Sequence, residues 1–532
     1  MSQDNARPPV AHDFYEILRT HGITRIFGNP GSNELTMLKH LPDDIEYVLA
    51  LQEGAALAMA EGYAYASGTV GFVNLHSGSG AGNAMGNLTN SAAAHAPLVV
   101  LAGQQSRKYM PYGAMLASND PVKLYDPLVK WSGEPLRPED TAVLTSKAIL
   151  LAATAPTGPV FLSVPLDDWE REGDPETVAH LIDRRVMGAP VIDTDSLEVI
   201  AAALAGATNP VMVLGPGVDN DRGWQASVRL ADSREMPVWI APSPSRAPFP
   251  TRHGRFQGLL PTGLGAIAEK LAGHDLVLTL GAAVFRYHQF IDGPLIPDGA
   301  QLVGVTSDPD EATRAGVGTI LVGDPSDALV RLAEVFATDD PAILPARTVE
   351  PATAGDAPYT AEAILDAVDR SKPVDARVVL EWTSADAMWP RLSFERSGSY
   401  FFPASGGLGW GLPAAIGLAM GSPERPVVAL IGDGAMQYTP AALWTAARYK
   451  VPVTFVVCQN REYGALQRFA RHMEVPDAPY LDIPDLDPTA IATGYGVPAV
   501  ALDSLHALEE FVRSAATAEG PRLAVIPQRS AR

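Results

Sequence analysis

Residues 427–464 read VVALIGDGAMQYTPAALWTAARYKVPVTFVVCQNREYG. Two short apolar runs in this stretch, residues 427–431 and 453–458, have the length and the β-branched content of buried parallel strands. The segment between them has helical character, so the stretch predicts a strand–helix–strand unit. Because parallel strands end at the same edge of a sheet, we expect Asp433 and Asn460 to lie side by side.

The pair Asp433 and Asn460 suits a hard divalent cation, because such ions prefer carboxylate and amide oxygens and keep room for phosphate oxygens. Gly434 lets backbone N–H groups approach an anion, and the helix that follows directs its positive end toward it. Most isolated Gly-Asp-Gly triplets are simple turns. Here the triplet follows one predicted strand and Asn460 ends the next, which favours a metal and phosphate site.

The composition indicates a large globular protein. A chain of 532 residues is too long for one hydrophobic core and predicts about three domains. The content of 47% hydrophobic and 19% charged residues excludes a disordered chain. The 39 basic and 61 acidic residues give a net charge of -22, which argues against nucleic acid as a partner.

The cysteine content and the lengths of the apolar runs indicate the class of protein and its expected location. Cys458 is the only cysteine, which excludes an intrachain disulfide and a multi-cysteine zinc site. Its position at the end of an apolar run favours a buried structural thiol. No apolar run approaches the roughly 20 residues needed to cross a bilayer, and residues 1–14 lack the pattern of a secretory signal. We therefore expect a cytoplasmic protein with no membrane partner.

Strand and helix signals alternate along the chain, which predicts an α/β protein with parallel sheets. Residues 169–190 carry charge without apolar periodicity, and residues 339–358 are rich in Pro, Ala and Thr, so both are predicted linkers. The block between them also reads as parallel α/β, but a fold alone does not make a nucleotide site. The glycine-rich run 78–82 lacks the third glycine of a dinucleotide fingerprint.

Three polar residues in the first third of the chain have ordinary structural explanations. Ser32, with Asn33, is positioned to cap a helix that begins near residue 34. Glu53 stands in the first turn of a predicted helix, where an acidic residue complements the macrodipole. His76 follows a predicted strand and, taken alone, reads as a structural histidine.

Several motifs spread along the chain resemble those of one enzyme family. They are FGNPGSNE at 27–34, LALQE at 49–53, NLHS at 74–77, and GDG at 432–434 followed by Asn460. This set resembles the thiamine diphosphate-dependent 2-keto acid decarboxylases, and within that family it is most similar to the benzoylformate decarboxylases. The resemblance extends over nearly the whole chain. The family has an Asn, a small hydroxyl residue and a Ser at three positions where this chain has Gln459, Trp382 and Ala435.

The resemblance implies three doubly wound parallel-sheet domains. These are a pyrimidine-binding domain at residues 1–175, a central α/β domain at 188–338, and a domain at 357–532 that binds the diphosphate and the metal. The implied cofactors are thiamine diphosphate and Mg²⁺. The implied metal ligands are Asp433, Asn460 and the backbone carbonyl of Glu462. The residues implied to bind the cofactor are Glu53, Thr383, Ser384, Gly406, Leu408, Asp433, Gly434, Ala435, Asn460, Glu462, Tyr463 and Gly464.

Some of these residues have specific implied roles. In the family, a glutamate at the position of Glu53 hydrogen-bonds the aminopyrimidine ring, and a bulky residue at Leu408 holds the cofactor bent. The hydroxyls of Thr383 and Ser384 would contact a phosphate or cap the next helix. Ser32, His76 and His288, the last within VFRYHQ at 284–289, would bind the substrate carboxylate and transfer protons. The implied substrate pocket is lined by Trp382, Phe402, Ala465, Leu466 and Phe469.

The implied reaction is the non-oxidative decarboxylation of an aromatic 2-oxo acid, benzoylformate, to an aldehyde and carbon dioxide at the thiazolium carbon of the cofactor. Alternatives within the family are a carboligase similar to acetolactate synthase and a decarboxylase of another 2-oxo acid. A nicotinamide-dependent dehydrogenase built on the central block and a catalytically silent scaffold are alternatives from other classes. The family also implies a homotetramer, with sites between the first domain of one subunit and the third domain of another.

Overall fold

The structure is a computed structural model that describes residues 7–186, 188, 190–288 and 291–530. Within these residues the chain forms three six-stranded sheets whose paired strands are all parallel. The strand order reverses within each sheet, which puts crossover helices on both faces because such crossovers are right-handed. The predicted fold class, three doubly wound α/β units, is confirmed.

The first sheet has the order β2-β1-β3-β4-β6-β5. Its strands are β1 (Arg25–Asn29), β2 (Glu46–Leu49), β3 (Gly71–Leu75), β4 (Leu98–Gln104), β5 (Ser132–Gly133) and β6 (Val160–Pro165). Its helices are α1 (Val10–Thr20), α2 (Leu35–Leu38), α3 (Glu53–Ser67), α4 (Ser77–Ala93), α5 (Pro121–Leu124), α6 (Asp140–Ala153) and α7 (Pro175–Ile182). The central strands β3, β4 and β6 are buried along their whole length, which explains their continuous apolar runs.

The central sheet has the order β12-β11-β10-β7-β8-β9. Its strands are β7 (Pro210–Leu214), β8 (Val238–Ile240), β9 (Phe256–Leu259), β10 (Leu276–Leu280), β11 (Gln301–Thr306) and β12 (Thr319–Val322). Its helices are α8 (Thr194–Gly206), α9 (Asp221–Ser233), α10 (Leu264–Lys270), α11 (Pro309–Arg314) and α12 (Pro325–Val335).

The third sheet has the order β14-β13-β15-β16-β18-β17. Its strands are β13 (Arg377–Glu381), β14 (Tyr400–Phe401), β15 (Val427–Gly432), β16 (Val453–Gln459), β17 (Ala499–Ala501) and β18 (Arg522–Pro527). Its helices are α13 (Ala361–Ser371), α14 (Gly411–Gly421), α15 (Asp433–Met436), α16 (Ala442–Arg448), α17 (Gly464–His472), α18 (Pro488–Gly494) and α19 (Leu505–Arg513).

Helices α3 and α14 join the first and third domains. The helices approach closely because glycines face the backbone of the opposite helix. A methyl on Gly62 would stand 2.1 Å from the carbonyl oxygen of Ala414, and one on Gly417 would stand 1.9 Å from that of Met59. Since α3 begins at Glu53, this joint links the start of the first-domain site to the helix that follows the loop carrying Leu408.

One predicted linker contains regular structure. Within residues 169–190, helix α7 packs against the first domain through Val178 and Leu181, which belong to the same hydrophobic cluster as the residues of α1. The predicted linker therefore contains a helix packed on the first domain, which the few buried apolar positions among charged residues did not indicate. Residues 339–358 form neither helix nor strand, as predicted. Across the described ranges, the helices lack the combination of length and apolar character needed to cross a membrane.

Candidate active site

A cavity of about 760 Å³ opens at the carboxyl edge of the third sheet. Residues that follow β13, β15 and β16 form one side of it. The loop 402–408, helix α17 and the central-domain segment 286–288 form most of the rest, together with Ala93, Ser243 and Tyr438. The predicted residues that line it are His288, Trp382, Thr383, Ser384, Phe402, Gly406, Leu408, Asp433, Gly434, Ala435, Asn460, Glu462, Tyr463, Gly464, Ala465, Leu466 and Phe469. The other three predicted residues, Ser32, Glu53 and His76, are not part of its described lining.

The strand pairing predicted from the sequence is confirmed at the base of this cavity. β15 and β16 are parallel neighbours, and Gly432 pairs with Cys458 at their carboxyl ends. Asp433 follows Gly432 directly and Asn460 follows Cys458 by two residues, so both lie just beyond neighbouring strand ends, and the N–H of Arg461 reaches the Asp433 carboxylate. Cys458 is buried, and burial raises the pKa of its thiol, as expected of an unreactive structural cysteine.

Backbone N–H groups hold the Asp433 side chain in place. Its Oδ2 accepts a hydrogen bond from the N–H of Arg461 at 2.8 Å, and its Oδ1 accepts one from the N–H of Gly434 at 3.0 Å. Close by, the Oδ1 of Asn460 accepts a bond from the N–H of Glu462 at 3.3 Å. The carboxylate after β15 and the amide after β16 are thus each fixed by backbone N–H groups, which orients their oxygens before any ligand arrives.

Burial raises the pKa of Asp433 to about 6, against the lowering effect of the backbone N–H bonds, and the neighbouring Glu462 adds to the rise. The side chain is 1% exposed. Among the described residues, no basic side chain forms an ion pair with this carboxylate. A buried carboxylate without a cationic partner is costly, and a bound divalent cation would remove that cost.

Glu381 is a cavity residue that the sequence analysis missed. It ends β13, is fully buried, and accepts hydrogen bonds from the N–H groups of Gly409, Trp410 and Gly411 at 2.5, 3.0 and 2.8 Å. Burial nevertheless raises its pKa to about 7. The carboxylate therefore fixes the chain between Leu408 and helix α14. An acidic residue at the end of a predicted buried strand was the signal that the sequence offered.

Asn90 of helix α4 holds the same loop from the other side. Its Oδ1 accepts hydrogen bonds from the N–H groups of Ser405 and Gly407, both at 3.1 Å, and from the Ser405 hydroxyl at 2.7 Å. Its Nδ2 donates to the Gly407 carbonyl at 2.9 Å. Leu408 is thus carried by a loop fixed at both ends, which suits the implied role of a rigid support beneath a cofactor.

The residues after β13 form a fixed wall. Trp382 is 1% exposed, and its indole N–H donates to the Oε1 of Gln528 at 2.8 Å. Arg468 donates to the carbonyl of Thr383 at 2.8 Å and also to that of Ser384. The alternative in which Thr383 or Ser384 caps a helix was wrong, because the next helical segment is a 3-10 turn, Asp386–Arg391, without a side-chain cap.

The opposite side of the cavity is apolar and aromatic. Phe402, Leu466 and Phe469 line it, and Phe469 meets the imidazole of His288 edge-on with a centroid distance of 4.9 Å. The His288 backbone N–H donates to the carbonyl of Thr262 at 3.0 Å. The imidazole of His288 therefore lies against the aromatic side of the cavity, whose size and lining suit a ring.

In the first domain, Glu53 and His76 come together in a separate cluster. The carboxylate of Glu53, which is 9% exposed, accepts hydrogen bonds from Asn29 Nδ2 at 3.2 Å and from Asn83 Nδ2 at 3.1 Å. A methyl on Gly80 would stand 3.3 Å from Glu53 Cγ and 3.5 Å from His76 Cβ, so the two side chains flank this glycine. Two amides thus orient the carboxylate at the start of α3.

His76 is held by a second carboxylate. Its Nδ1 lies 2.9 Å from the Oε2 of Glu34, which also accepts a bond from the Gly31 N–H at 2.7 Å, while Oε1 accepts one from the Gly103 N–H at 3.0 Å. A methyl on Gly31 would overlap the His76 ring, so Ser32, the next residue, lies beside this imidazole. Ser32 is exposed, and the prediction that it and Asn33 cap a helix was wrong, since Ser32–Glu34 is itself a 3-10 turn without a side-chain cap from either.

Comparison with known proteins identifies the family. Three thiamine pyrophosphate enzyme models match the chain, namely the N-terminal TPP binding domain at residues 9–122, the central domain at 197–332 and the C-terminal TPP binding domain at 384–526. The chain is 48% identical to a benzoylformate decarboxylase of Pseudomonas aeruginosa over 515 residues, which is 96% of this chain and 97% of that protein. This chain belongs to the thiamine diphosphate-dependent 2-keto acid decarboxylases. It also resembles acetolactate synthases at lower identity, for example 27% for the isozyme 3 large subunit of Escherichia coli over 92% of this chain and 88% of that one.

Solved structures of the family have the same fold as this chain. The 4-hydroxybenzoylformate decarboxylase of Rhodococcus jostii RHA1 has a TM-score of 0.95 and 45% identity, covering 98% of this chain and 99% of the other. The benzoylformate decarboxylase of Polynucleobacter necessarius has a TM-score of 0.92 and 35% identity, covering 98% of both chains. The family membership inferred from the sequence motifs is therefore confirmed, and thiamine diphosphate is the cofactor of the family to which the chain belongs.

Proposed function

We propose that this enzyme decarboxylates an aromatic 2-oxo acid, benzoylformate, to benzaldehyde and carbon dioxide without oxidation. One observation carries the proposal: a single cavity joins the Asp433–Asn460 strand ends to an aromatic pocket that holds His288. The names of the relatives, benzoylformate and 4-hydroxybenzoylformate decarboxylase, support the aromatic acyl group.

The cavity residues fit thiamine diphosphate with Mg²⁺. Asp433, Asn460 and the backbone carbonyl of Glu462 would hold the ion, because they offer hard oxygen ligands and the buried carboxylate of Asp433 has no cationic partner among the described residues. Gly434 suits the diphosphate, since any larger residue would meet the Tyr463 ring at 3.0 Å. When bound, thiamine diphosphate supplies the electron sink for cleavage of the bond to the carboxylate.

Glu53 would engage the pyrimidine part of the cofactor. The two amide donors on its oxygens, Asn29 and Asn83, orient the carboxyl group at the start of α3 and keep it aimed in one direction. A carboxyl group held in this way exchanges a proton with a ring nitrogen at its Oε atoms.

His76, His288 and Ser32 would act on the substrate. Because the Glu34 carboxylate engages Nδ1 of His76 while accepting two backbone N–H bonds, Nδ1 carries the proton and Nε2 is the nitrogen that exchanges one with a reacting group. His288 would handle the second proton transfer from the aromatic side of the cavity. The exposed hydroxyl of Ser32 would bind the substrate carboxylate.

The proposal includes a homotetramer in which the first domain of one subunit completes the cavity of another. It is motivated by the separation, within one chain, of the Glu53–His76–Ser32 cluster from the described lining of the cavity. The proposal also includes Mg²⁺ as the metal, a cytoplasmic location, and neither nucleic acid nor membrane as a partner, as expected from the charge and the sequence.

The test is turnover of a panel of aromatic and aliphatic 2-oxo acids with added thiamine diphosphate and Mg²⁺, with the products identified. We expect benzoylformate or a ring-substituted analogue to give the aldehyde and to be used in preference to pyruvate. Acyloin as the main product would instead indicate a carboligase. Absence of turnover with any aromatic 2-oxo acid would overturn the proposal.

A further inference from the structure

Arg286 contacts all three parts of the chain at the edge of the cavity. It belongs to the central-domain segment that leads from β10 to His288, and it lines the active-site cavity together with Tyr287 and His288. Its Nη1 donates to the carbonyl of Ala404 in the third domain at 2.7 Å, and its Nη2 donates to the carbonyl of Ala93 in the first domain at 2.8 Å.

The Arg286 guanidinium is partly buried and is bonded to carbonyl groups. Burial lowers its pKa, and in the described part of the chain no carboxylate forms an ion pair with it, although Glu311 lies close enough to raise the pKa. Its charge is instead balanced by carbonyl dipoles. Ala93 is the last residue of the 17-residue helix α4, whose terminal carbonyls lack partners within the helix and carry its negative dipole end.

Both carbonyl acceptors belong to elements that shape the active site. Ala404 precedes Ser405 and Gly406 in the loop that carries Leu408, and Ala93 ends the helix that supplies Asn90 to the same loop. Arg286 itself stands two residues before His288. One side chain therefore connects the His288 segment, the Leu408 loop and the end of α4.

The planar fork of the guanidinium is suited to this task. It donates in two fixed directions at once, whereas the ammonium of lysine is a single flexible point charge. Arg286 also borders a second cavity of about 350 Å³ between the first and central domains. The segment is otherwise held by Phe285 in the central-domain core and by the His288 N–H bond to the Thr262 carbonyl, so the two Arg286 bonds are what tie it to the first and third domains.

We propose that Arg286 is a positioning residue for the decarboxylation reaction. By bonding simultaneously to the carbonyls of Ala93 and Ala404, it sets the distance of His288 from the loop that carries Leu408, and with it the geometry of proton transfer in the cavity. The proposal deepens the proposed function and rests on it, because it names what positions His288 for a reaction in that cavity.

The experiment compares Arg286→Lys, Arg286→Gln and a matched control, Arg252→Lys, in the full-length enzyme with thiamine diphosphate and Mg²⁺. Arg252 is also an interdomain arginine, donating to Asp369 and to the carbonyls of Pro390 and Arg391, but it lines neither cavity. The measurements are kcat and KM with benzoylformate, cofactor affinity, the aldehyde-to-acyloin ratio, and hydrogen–deuterium exchange of segments 281–288 and 402–409.

We expect Arg286→Lys to lower kcat by about 10- to 100-fold, since a displacement of about 1 Å has an effect of that size. We expect KM and cofactor affinity to stay within about threefold, because the lysine keeps the charge and the diphosphate end is untouched. Deuterium exchange should increase in both segments, and acyloin should increase relative to aldehyde because proton delivery is impaired. Arg252→Lys should leave kcat and the product ratio within about twofold.

Three outcomes would overturn the proposal. An unchanged kcat in Arg286→Lys would remove the residue from positioning, and a rise in KM alone would indicate attraction of the substrate charge instead. An equal loss in Arg252→Lys would indicate general domain loosening. If the wild-type enzyme turns over no 2-oxo acid, the proposed function fails, while the exchange data still report whether Arg286 fixes the two segments.

Discussion

The two clusters of predicted functional residues are built in different ways. In the third domain, backbone N–H groups fix the carboxylates of Asp433 and Glu381, and the residues surround a cavity at strand ends. In the first domain, side-chain amides and a second carboxylate orient Glu53 and His76. In the proposed function, the third-domain half of the site is a preformed binding pocket and the first-domain half is an oriented set of proton-exchanging groups.

The largest expected effect concerns the first-domain half. Replacing Glu53 by Gln should lower kcat by about 10²- to 10⁴-fold, the usual range for loss of a general acid or base. The fold should persist, because the side chain keeps its length and can still accept a hydrogen bond from one of Asn29 and Asn83. Steady-state kinetics and the melting temperature test this.

The matched control for Glu53 is Glu46→Gln. Glu46 has a side chain 43% exposed and pairs with Arg25 at the surface, so its loss should change kcat less than about twofold. If Glu53→Gln behaves like this control, the first-domain half does not take part in the chemistry.

The third-domain half should respond in cofactor binding. Asp433→Asn should weaken the Mg²⁺-dependent binding of thiamine diphosphate about a hundredfold, or about 2.8 kcal/mol, because it removes the charged ligand of the proposed metal site. Titration followed by protein fluorescence measures it. Asp487→Asn is the control, because Asp487 caps α18 at the surface and Asn caps equally well. Equal affinities of the two variants would refute the metal site.

Mixing a variant of the first-domain half with a variant of the third-domain half tests whether the two halves meet between subunits. Two inactive variants, Glu53→Gln and Asp433→Asn, should regain activity when they are dissociated together and reassembled. If sites form between subunits, a mixed pair has one site with Glu53 and Asp433 both intact, so random mixing should restore roughly a quarter of the sites. Recovery indistinguishable from zero would mean that each chain completes its own site.

A smaller effect is expected from Glu381, through pH. Its folded-state pKa of about 7 lies above the ordinary value of 4.5, so the folded form binds more protons between them. The resulting stabilisation is fully present below pH 4.5 and is lost as pH rises through about 7. The stability of the wild type relative to Glu381→Gln should therefore fall by about 2 kcal/mol between about pH 5.5 and about pH 8.

Thermal unfolding of the two proteins at both pH values tests this expectation. Glutamine loses one of the three backbone N–H bonds at any pH, which adds a constant offset to the stability difference, so the test is how that difference changes between the two pH values. A stability difference that is the same at both pH values would show that Glu381 does not titrate in this range.

The smallest expected effect concerns the cavity wall. Trp382→Phe should remove the indole donor to Gln528 and lower stability by about 1–2 kcal/mol. It should change kcat/KM for benzoylformate less than about threefold, because the ring remains in place. A large shift in preference toward bulkier 2-oxo acids would instead mean that the indole itself limits the size of the acyl group.

The sequence predicted the sheets well because apolar runs bounded by glycine mark buried parallel strands. β15 and β16 were each predicted to within one residue, and with them the neighbouring positions of Asp433 and Asn460. The family motifs also identified residues that line the cavity. Local patterns were informative wherever a strand end and its turn supply the functional group.

The residues that the sequence did not reveal act over long separations. Arg286 bonds to residues 193 and 118 positions away along the chain, and Asn90 bonds to a loop more than 300 residues away. The hydrophobic periodicity of neighbouring residues gives no information about contacts between such distant positions. The expected cap at Ser32 failed for another reason, because the Glu34 side chain bonds the Gly31 N–H and the chain forms a 3-10 turn instead.

The close packing of α3 against α14 through glycines limits which substitutions the protein can accept. Because a methyl at Gly62 or Gly417 would collide with the facing backbone, neither position tolerates independent change. A shift of α14 would move the end of the loop that carries Leu408, and a shift of α3 would move Glu53 at its start. Substitutions that reshape the cavity without moving this framework are therefore confined to cavity-wall side chains such as Leu466 and Phe402.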